Sequence, residues 1–138
     1  MKFENTKLKL EYNDNWEEIK DKIPNRLLIL DNKNNKSRIM LMEQKNQAVN
    51  LDFLKSAVEI FPRNENLKIE KSSIEQIGNK NIHKLVAKDE RPNNTMKTIT
   101  ISLINKTDVY IFNYISFDLN DNGNELDKIV KTLEFKKT

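Results

Sequence analysis

Cysteine is absent from this chain of 138 residues, which also contains two glycines, one histidine and one tryptophan. Without cysteine there is no disulfide framework, no thiolate nucleophile and no cysteine-based zinc site. Two glycines do not suffice for a glycine-rich loop that cradles phosphates, and neither a Walker motif nor a GxGxxG motif occurs. The sequence therefore predicts a protein with no bound cofactor and no metal.

Long apolar runs are also missing. The longest, such as Leu27–Leu30 and Ile39–Met42, have four residues each, whereas a membrane-spanning helix needs about 20. We therefore expect no membrane-spanning segment. The first residues contain no apolar stretch of the signal-peptide type and no cysteine for lipid attachment. The chain as written is thus expected in the cytoplasm, and outside it if a leader has been removed.

Charge of one sign does not dominate, because acidic and basic residues alternate along the chain and leave a net charge of +3. Arginine occurs only at positions 26, 38, 63 and 91, away from any cluster of glycines and aromatic residues. Grooves that bind nucleic acids combine such features. The pattern predicts a solvated surface without a nucleic-acid partner, on one domain that spans residues 1–138.

Apolar periodicity in the first half of the chain predicts three strands followed by a helix. A strand runs from Phe3 to Tyr12, and residues 26–31 and 38–44 form a hairpin around a polar turn. Apolar residues from Leu51 to Phe61 then recur at helical intervals. Asn50 is placed to cap this helix at its start, and Pro62 is placed to end it.

The second half of the chain predicts four strands and a terminal helix. The strands cover residues 67–77, 82–88, 96–104 and 109–117, and polar turns join them into an antiparallel meander. Apolar residues from Leu126 to Leu133 follow helical spacing, with Asn124 as the expected cap. The predicted fold class is α+β, with a single antiparallel sheet of six to seven strands and the order βββ-α-ββββ-α.

This order of elements resembles the PsbP/DcrB-like superfamily, the group of Mog/PsbP-like folds. The segment from Tyr12 to Trp16 and the closing pattern from Leu126 to Phe135, read as the superfamily's last helix, are similar to its members. The resemblance implies a sheet with one helix on each face. It also implies binding without catalysis, because the superfamily includes a photosystem subunit, a GTPase-binding protein, bacterial lipoproteins and chaperones.

Two groups of apolar side chains are candidates for partner binding. Tyr110, Phe112 and Tyr114 alternate along one strand and would present a large aromatic area to an apolar ligand or a partner helix. Met40 and Met42 share one face of their strand and form a flexible apolar surface. In both cases, packing in the core is the structural alternative that the pattern favours.

Asp118–Gly123 matches the first half of a calcium-binding loop. Its twelfth position is Ile129, however, where such a loop has a bidentate glutamate. The segment also leads directly into the terminal helix, where asparagine and glycine make a turn. The sequence therefore favours a turn over an ion site.

His83 is the only histidine and lies on a predicted strand. None of Ser56, Ser72 and Ser102 has the surroundings of a nucleophile elbow, so a structural histidine is favoured. We expect a non-catalytic module with a protein partner, of the chaperone or adaptor type. The alternatives are an extracytoplasmic ligand-binding domain of the lipoprotein type and a small hydrolase whose site residues are dispersed, with His83 as its base.

Overall fold

The computed structural model describes residues 1–20, 23–47, 50–60 and 67–136. It contains ten strands and two helices within these ranges. The strands are β1 (Lys2–Glu4), β2 (Leu8–Glu11), β3 (Trp16–Glu18), β4 (Arg26–Asn32), β5 (Arg38–Gln44), β6 (Leu67–Ile77), β7 (Lys80–Arg91), β8 (Asn94–Asn105), β9 (Asp108–Ser116) and β10 (Glu134–Phe135). The helices are α1 (Leu51–Ile60) and α2 (Asn124–Thr132).

The strands form two sheets, and all their pairings are antiparallel. The larger sheet has seven strands in the order β3-β4-β5-β9-β8-β7-β6, and the smaller has the order β1-β2-β10. The α+β class, the hairpin β4–β5 and the meander β6–β9 are therefore confirmed. The prediction of a single sheet is wrong, because the first predicted strand belongs to the smaller sheet.

The first predicted strand, Phe3 to Tyr12, is broken by a turn at Asn5. The Asn5 side-chain oxygen accepts hydrogen bonds from the backbone N–H groups of Lys7 at 2.8 Å and Leu8 at 2.9 Å. Such a local bond offers the backbone an alternative to a continuous strand. The chain therefore folds back as the β1–β2 hairpin, and the short strand β3 that follows was not predicted.

The end of the chain also differs from the prediction. The pattern from Leu126 to Phe135 was expected to be helical throughout, but α2 ends at Thr132 and Leu133 adopts an extended conformation with ψ 128°. Glu134 and Phe135 then pair with β2 as β10. Pairing with the open edge of β2 outweighs continuation of the helix. The order along the chain is therefore five strands, α1, four strands, α2 and one strand.

The cap of α1 is confirmed, since the Asn50 side-chain oxygen accepts a hydrogen bond from the Phe53 N–H at 2.8 Å. The cap of α2 is one residue earlier than predicted: helix α2 begins at Asn124, and Gly123 precedes it with φ 74°. A left-handed residue at this position suits glycine. The predicted helix end at Phe61 and Pro62 lies outside the described residues.

One face of the larger sheet holds most of the core, and we call it the core face. It is formed by Leu28 and Leu30 on β4, Ile39 and Leu41 on β5, Ile82 on β7, Ile99, Ile101 and Leu103 on β8, and Tyr110, Phe112 and Tyr114 on β9. The buried side chains Leu126, Ile129 and Val130 of α2 join this cluster, together with Leu8 and Leu10 of β2. Helix α2 and the smaller sheet therefore cover the core face.

The other face of the same sheet, which we call the second face, is more polar. It includes Met40, Met42, His83, Leu85, Thr100, Ser102, Ile111, Asn113 and Ile115. Helix α1 contacts β6, β7 and β8. The arrangement of one helix on each face stays a prediction.

Candidate functional site

A cleft of about 570 Å³ opens between α2 and the end of the β1–β2 hairpin, and we call it the α2 cleft. Tyr12, Trp16 and Ile129 line it with apolar surface, and each of these side chains is at most 6% exposed. The charged residues at the cleft are Lys2, Glu11, Glu125 and Lys128. Ligand sites in proteins have comparable volumes and a similar mixture of apolar floor and polar groups.

Hydrogen bonds join the walls of the α2 cleft. The Thr132 hydroxyl on α2 accepts a hydrogen bond from the backbone N–H of Glu11 at 2.9 Å and lies 2.7 Å from the carbonyl oxygen of Ile129. On the other side, the Tyr12 N–H donates to the carbonyl of Met1 at 3.0 Å. The hydrogen bond between Thr132 and Glu11 therefore joins the helix to the hairpin, and the one between Tyr12 and Met1 closes the hairpin itself.

The floor of the α2 cleft is positioned by a polar turn. The Asn13 side-chain oxygen accepts a hydrogen bond from the Asn15 N–H at 2.9 Å, and the Asn13 carbonyl accepts one from the Trp16 N–H at 3.3 Å. This turn brings the indole of Trp16 edge-on to the ring of Tyr114, with ring centroids 6.4 Å apart. The floor is thus continuous with the core and well ordered by packing.

The α2 cleft combines a neutral phenol with charges of both signs. Burial, followed by the negative charge of Glu18, raises the pKa of Tyr12, so this phenol stays neutral at physiological pH. Within the described part of the lining there is no histidine and no serine. The Thr132 hydroxyl is engaged between α2 and β2. The arrangement offers apolar contact flanked by charges of both signs.

The predicted aromatic stripe lies in the core. Tyr110, Phe112 and Tyr114 are 1%, 0% and 3% exposed, which agrees with the structural alternative. Both phenols of this stripe also donate hydrogen bonds: Tyr110 donates to Glu43 at 2.8 Å, and Tyr114 donates to Asp121. Burial first, and then these carboxylates, raise the pKa of both tyrosines. Their surroundings are those of structural residues.

Met40 and Met42 lie on the second face, so the structure does not bring them together with the aromatic stripe. Both are half-buried, and Met40 pairs in register with Asn113 of β9. Met40 borders a smaller cavity of about 200 Å³ together with Leu85 and Thr100. This cavity is polar at one side, because the Thr100 hydroxyl donates to the Asn113 side-chain oxygen at 3.0 Å.

The structure brings Ser72 and His83 together, which the sequence did not indicate. The Ser72 hydroxyl lies 2.9 Å from His83 Nε2. His83 is 1% exposed, and Ser72 is half-buried on the edge strand β6. A serine and a histidine at this distance satisfy the first geometric requirement of nucleophilic catalysis, but the burial of the imidazole restricts access by a substrate.

The segment Asp118–Gly123 forms a turn. The Asp118 carboxylate accepts a hydrogen bond from the Asn120 N–H at 3.0 Å, and the Asp121 carboxylate accepts one from the Gly123 N–H at 2.8 Å. Asp121 also accepts the hydrogen bond from Tyr114. The described residues contain no group of three or more acidic or histidine side chains that could hold a metal ion. The carboxylates thus organise the approach to α2.

The α2 cleft itself was not found by sequence reasoning. In the sequence, Tyr12 ends a predicted strand and Trp16 closes the segment that resembles the superfamily. Ile129 lies in the predicted terminal helix and at the twelfth position of the calcium-loop pattern. More than 110 residues separate Trp16 from Ile129, so local patterns carry no information about their contact. The polar turn before a single tryptophan was the one available signal.

No sequence-family profile matches the chain, and no curated protein matches it either. Solved structures are similar in fold, among them three at 10–12% sequence identity. A protein from Bacteroides thetaiotaomicron VPI-5482 has a TM-score of 0.71 over 94% of this chain and 45% of its own. The cyanobacterial PsbP (CyanoP) from Synechocystis sp. PCC 6803 has a TM-score of 0.63 over 99% of this chain and 92% of its own.

The third structure is LpqN, described as involved in cell envelope biogenesis of Mycobacterium tuberculosis, with a TM-score of 0.61 over 94% of this chain and 83% of its own. At these identities the likeness concerns the fold. The predicted PsbP/DcrB-like fold is thereby confirmed. None of the helices that the structure describes is long and apolar enough to cross a membrane.

Proposed function

We propose that this chain is a non-catalytic protein-binding module of the adaptor or chaperone type, and that the α2 cleft receives an apolar side chain of its partner. The observation that carries the proposal is the combination of the buried floor formed by Tyr12, Trp16 and Ile129 with a charged rim. In protein interfaces, an anchor side chain in such a pocket contributes most of the affinity, and the polar rim excludes water.

The charges at the rim favour a polypeptide over a small anion or cation. Lys2 and Lys128 are exposed, as is Glu11, while Glu125 is half-buried and receives a hydrogen bond from the Asn32 side chain at 3.4 Å. A ligand of one charge would meet repulsion from one half of this rim. A peptide segment with an apolar anchor between residues of opposite charge would meet complementary groups on both sides.

Site-specific photo-crosslinking in extract from the native cells tests this proposal. A photoreactive amino acid at position 128 lies on the rim of the α2 cleft. One at position 45 replaces a lysine that is also exposed, directly after β5, and that does not line the cleft. We expect one stoichiometric protein partner to be captured from position 128 and not from position 45. Mass spectrometry identifies the partner and the residue that is crosslinked.

The charge reversal Lys128→Glu provides the affinity measurement with the purified partner. We expect it to weaken binding by about tenfold, as removal of one interfacial charge pair does, whereas the control Lys45→Glu leaves binding unchanged. Equal capture from both positions, or equal affinity of both variants, would contradict the assignment of the cleft. The charge change is the same in both variants, so a general electrostatic effect does not distinguish them.

A small hydrolase is the alternative, and the contact between Ser72 and His83 is the observation that favours it. In that case Ser72 would be the nucleophile and His83 its general base. Turnover of simple activated esters that is lost in both Ser72→Ala and His83→Ala, while the melting temperature holds, would favour the hydrolase. Turnover that survives both changes, or that is absent from the unchanged protein, would favour the binding module.

The second alternative is an extracytoplasmic ligand-binding domain of the lipoprotein type. LpqN, which shares the fold, is described as involved in cell envelope biogenesis, and this supports an envelope location. Fractionation of the native cells with an antibody against this chain tests it. Recovery with the envelope would favour the extracytoplasmic alternative, and recovery with the cytoplasmic fraction would favour an adaptor inside the cell.

A further inference from the structure

The two edges of the larger sheet differ strongly in length. Strand β3 at one edge has three residues, whereas β6 at the other has eleven. A long edge strand presents backbone N–H and C=O groups that can pair with another strand. Natural proteins block such edges with bulges and charged side chains, so the outer side of β6 is the place to look for either a block or a partner.

Strand β6 contains both an obstacle and an open segment. The register with β7 shifts between Ile69 and Lys71, and a bulge at this point turns the first residues of the strand away from the plane of the rest. The segment from Lys71 to Ile77 then pairs regularly with β7. Ile74, in the middle of this segment, is 42% exposed, which leaves apolar surface beside the edge.

The segment carries one positive and one negative charge on the same side of the sheet, so two copies related by a two-fold axis can bring opposite charges together. Lys71, Ser73 and Glu75 pair with Val86, Lys84 and Ile82 of β7, so all three belong to the same side of the sheet. In an antiparallel pair, residues directly opposite each other have their side chains on the same face. A two-fold axis that relates two copies of β6 must therefore place one residue directly opposite its own copy. We name each possible axis by this central residue.

An axis through Ser73 places Lys71 of each copy opposite Glu75 of the other. It also places Ser72 opposite Ile74, so the two exposed isoleucines become diagonal neighbours across the new pair. Moving the axis to Ser72 or to Ile74 removes both charge pairs. An axis through Lys71 places the two copies of this lysine directly opposite each other, which is repulsive. One register is thus selected by charge, and opposite charges across antiparallel strands are stabilising.

We propose that β6 pairs antiparallel with β6 of a second copy of this chain, in the register centred on Ser73, and forms one continuous sheet across a symmetric dimer. Within one copy the Lys71 ammonium already lies 2.8 Å from the Glu75 carboxylate, and the two side chains are 54% and 32% exposed. In the dimer the same groups form a cluster of four alternating charges. The surface lies apart from the residues that line the α2 cleft.

Charge reversal with complementation tests the pairing between copies. Lys71→Glu alone and Glu75→Lys alone each place like charges opposite one another, so each variant is expected to dissociate at least about tenfold more readily. An equimolar mixture of the two variants restores both opposite-charge pairs between copies. Sedimentation velocity and native mass spectrometry should then show the mixed dimer in preference to either dimer of one variant.

The mixture separates contacts between copies from contacts within one copy, because the ion pair within each chain stays broken in both variants. Lys45→Glu is the control for a change of net charge, and circular dichroism verifies that each variant is folded. An unchanged protein that sediments as a monomer over the whole concentration range would overturn the proposal. Failure of the mixture to form the mixed dimer would overturn the register.

A disulfide provides a second test that does not depend on charge. The axis through Ser73 brings the β-carbons of the two copies of this residue to about 4.5–5.5 Å, and the shorter of these separations is within reach of a disulfide. The chain has no other cysteine, so Ser73→Cys should form a covalent dimer on mild oxidation. Ser56→Cys on the exposed side of α1 is the control. Equal crosslinking of both variants, or none at Ser73→Cys, would contradict the pairing.

Discussion

The two faces of the larger sheet are made by the same strands and yet differ in character. Along β9, Tyr110, Phe112 and Tyr114 on the core face are at most 3% exposed, whereas Ile111 and Asn113 on the second face are half-buried. Alternation along a strand sends successive side chains to opposite faces. The core face therefore buries the aromatic surface of β9, while the second face accommodates polar groups.

Polar side chains on the second face are paired locally between neighbouring strands. Thr100 contacts Asn113 at 3.0 Å, and Ser72 contacts His83 at 2.9 Å. On the core face, Lys84 instead binds another element, since its ammonium lies 3.2 Å from the Asp127 carboxylate of α2. A change on the second face should therefore act locally, and a change on the core face should affect the packing of α2.

Removal of a core-face ring should have the largest effect. Phe112 is fully buried, and Phe112→Ala should lower the free energy of unfolding by about 3–5 kcal/mol because it removes apolar contacts and leaves a cavity. The neighbouring change Ile111→Ala on the half-buried second face should cost less than about 2 kcal/mol. Urea unfolding followed by circular dichroism measures both. Equal losses of the free energy of unfolding would contradict a difference in stability between the two faces.

A contact between the core face and the start of α2 should have the next largest effect. A β-carbon at Gly123 would lie 2.6 Å from Ile99 Cδ1, and φ is 74°. Gly123→Ala should therefore lose about 2–3 kcal/mol of stability through strain and displacement of Ile99. Gly78→Ala is the matched control, since φ there is 60° but the nearest atom is the Lys131 Cγ at 3.6 Å.

The control isolates the contribution of packing. Both glycines have a left-handed backbone conformation, but only Gly123 lies against the core face. Gly78→Ala should lose about 1 kcal/mol from the backbone conformation alone. Thermal unfolding monitored by calorimetry gives both values. If the two variants lost the same amount, the close approach to Ile99 would contribute nothing, and the start of α2 would not depend on the core face.

Most elements with a local signal could be predicted from the sequence, although the local turn at Asn5 was missed. Elements whose cause is a distant contact could not be predicted. The meander β6–β9 follows from apolar runs between short polar turns, and the cap at Asn50 follows from one side chain. The strand β10 exists because the edge of β2 is open to it. Nothing within Glu134–Phe135 itself indicates a strand, and the helix periodicity before it favours continuation.

The candidate site was predicted less well than the fold for the same reason. The aromatic stripe on β9 was the strongest local pattern, but it packs in the core because α2 and β2 cover it. The α2 cleft joins the start of the chain to its last helix. A single sequence contains no signal for contacts at that separation, so only the three-dimensional arrangement reveals the cleft.

Ionisation of the tyrosines tests the burial of the core face without a mutation. The pKa values of Tyr12, Tyr110 and Tyr114 are all raised, first by burial, and these are the only tyrosines in the chain. An unfolded tyrosine ionises near pH 10. Phenolate absorbance of the folded protein should therefore appear at higher pH than that of the protein unfolded in urea.

Burial favours the protonated tyrosines in the folded state, so the free energy of unfolding depends on pH. The three tyrosines stabilise the fold fully below about pH 10, and this contribution is lost as the pH rises towards their folded pKa values. Tyr110→Phe should reduce the late phenolate signal and the loss of stability at high pH. A folded protein whose phenolate appears near pH 10 would contradict the burial of these rings.

The smallest effect is expected from a polar pair on the second face. Thr100→Val removes the hydroxyl that donates to Asn113 at 3.0 Å but keeps the shape of the side chain, which is 7% exposed in the present protein. The lost hydrogen bond and the gained apolar burial largely offset each other, so stability should change by less than about 1 kcal/mol. Asn113 is half-buried and would regain a partner from water. A loss above about 3 kcal/mol in urea unfolding would show that this hydrogen bond is as important to the fold as the packing of Phe112. The two faces would then differ in the kind of contact they make and not in how much each contributes to the free energy of unfolding.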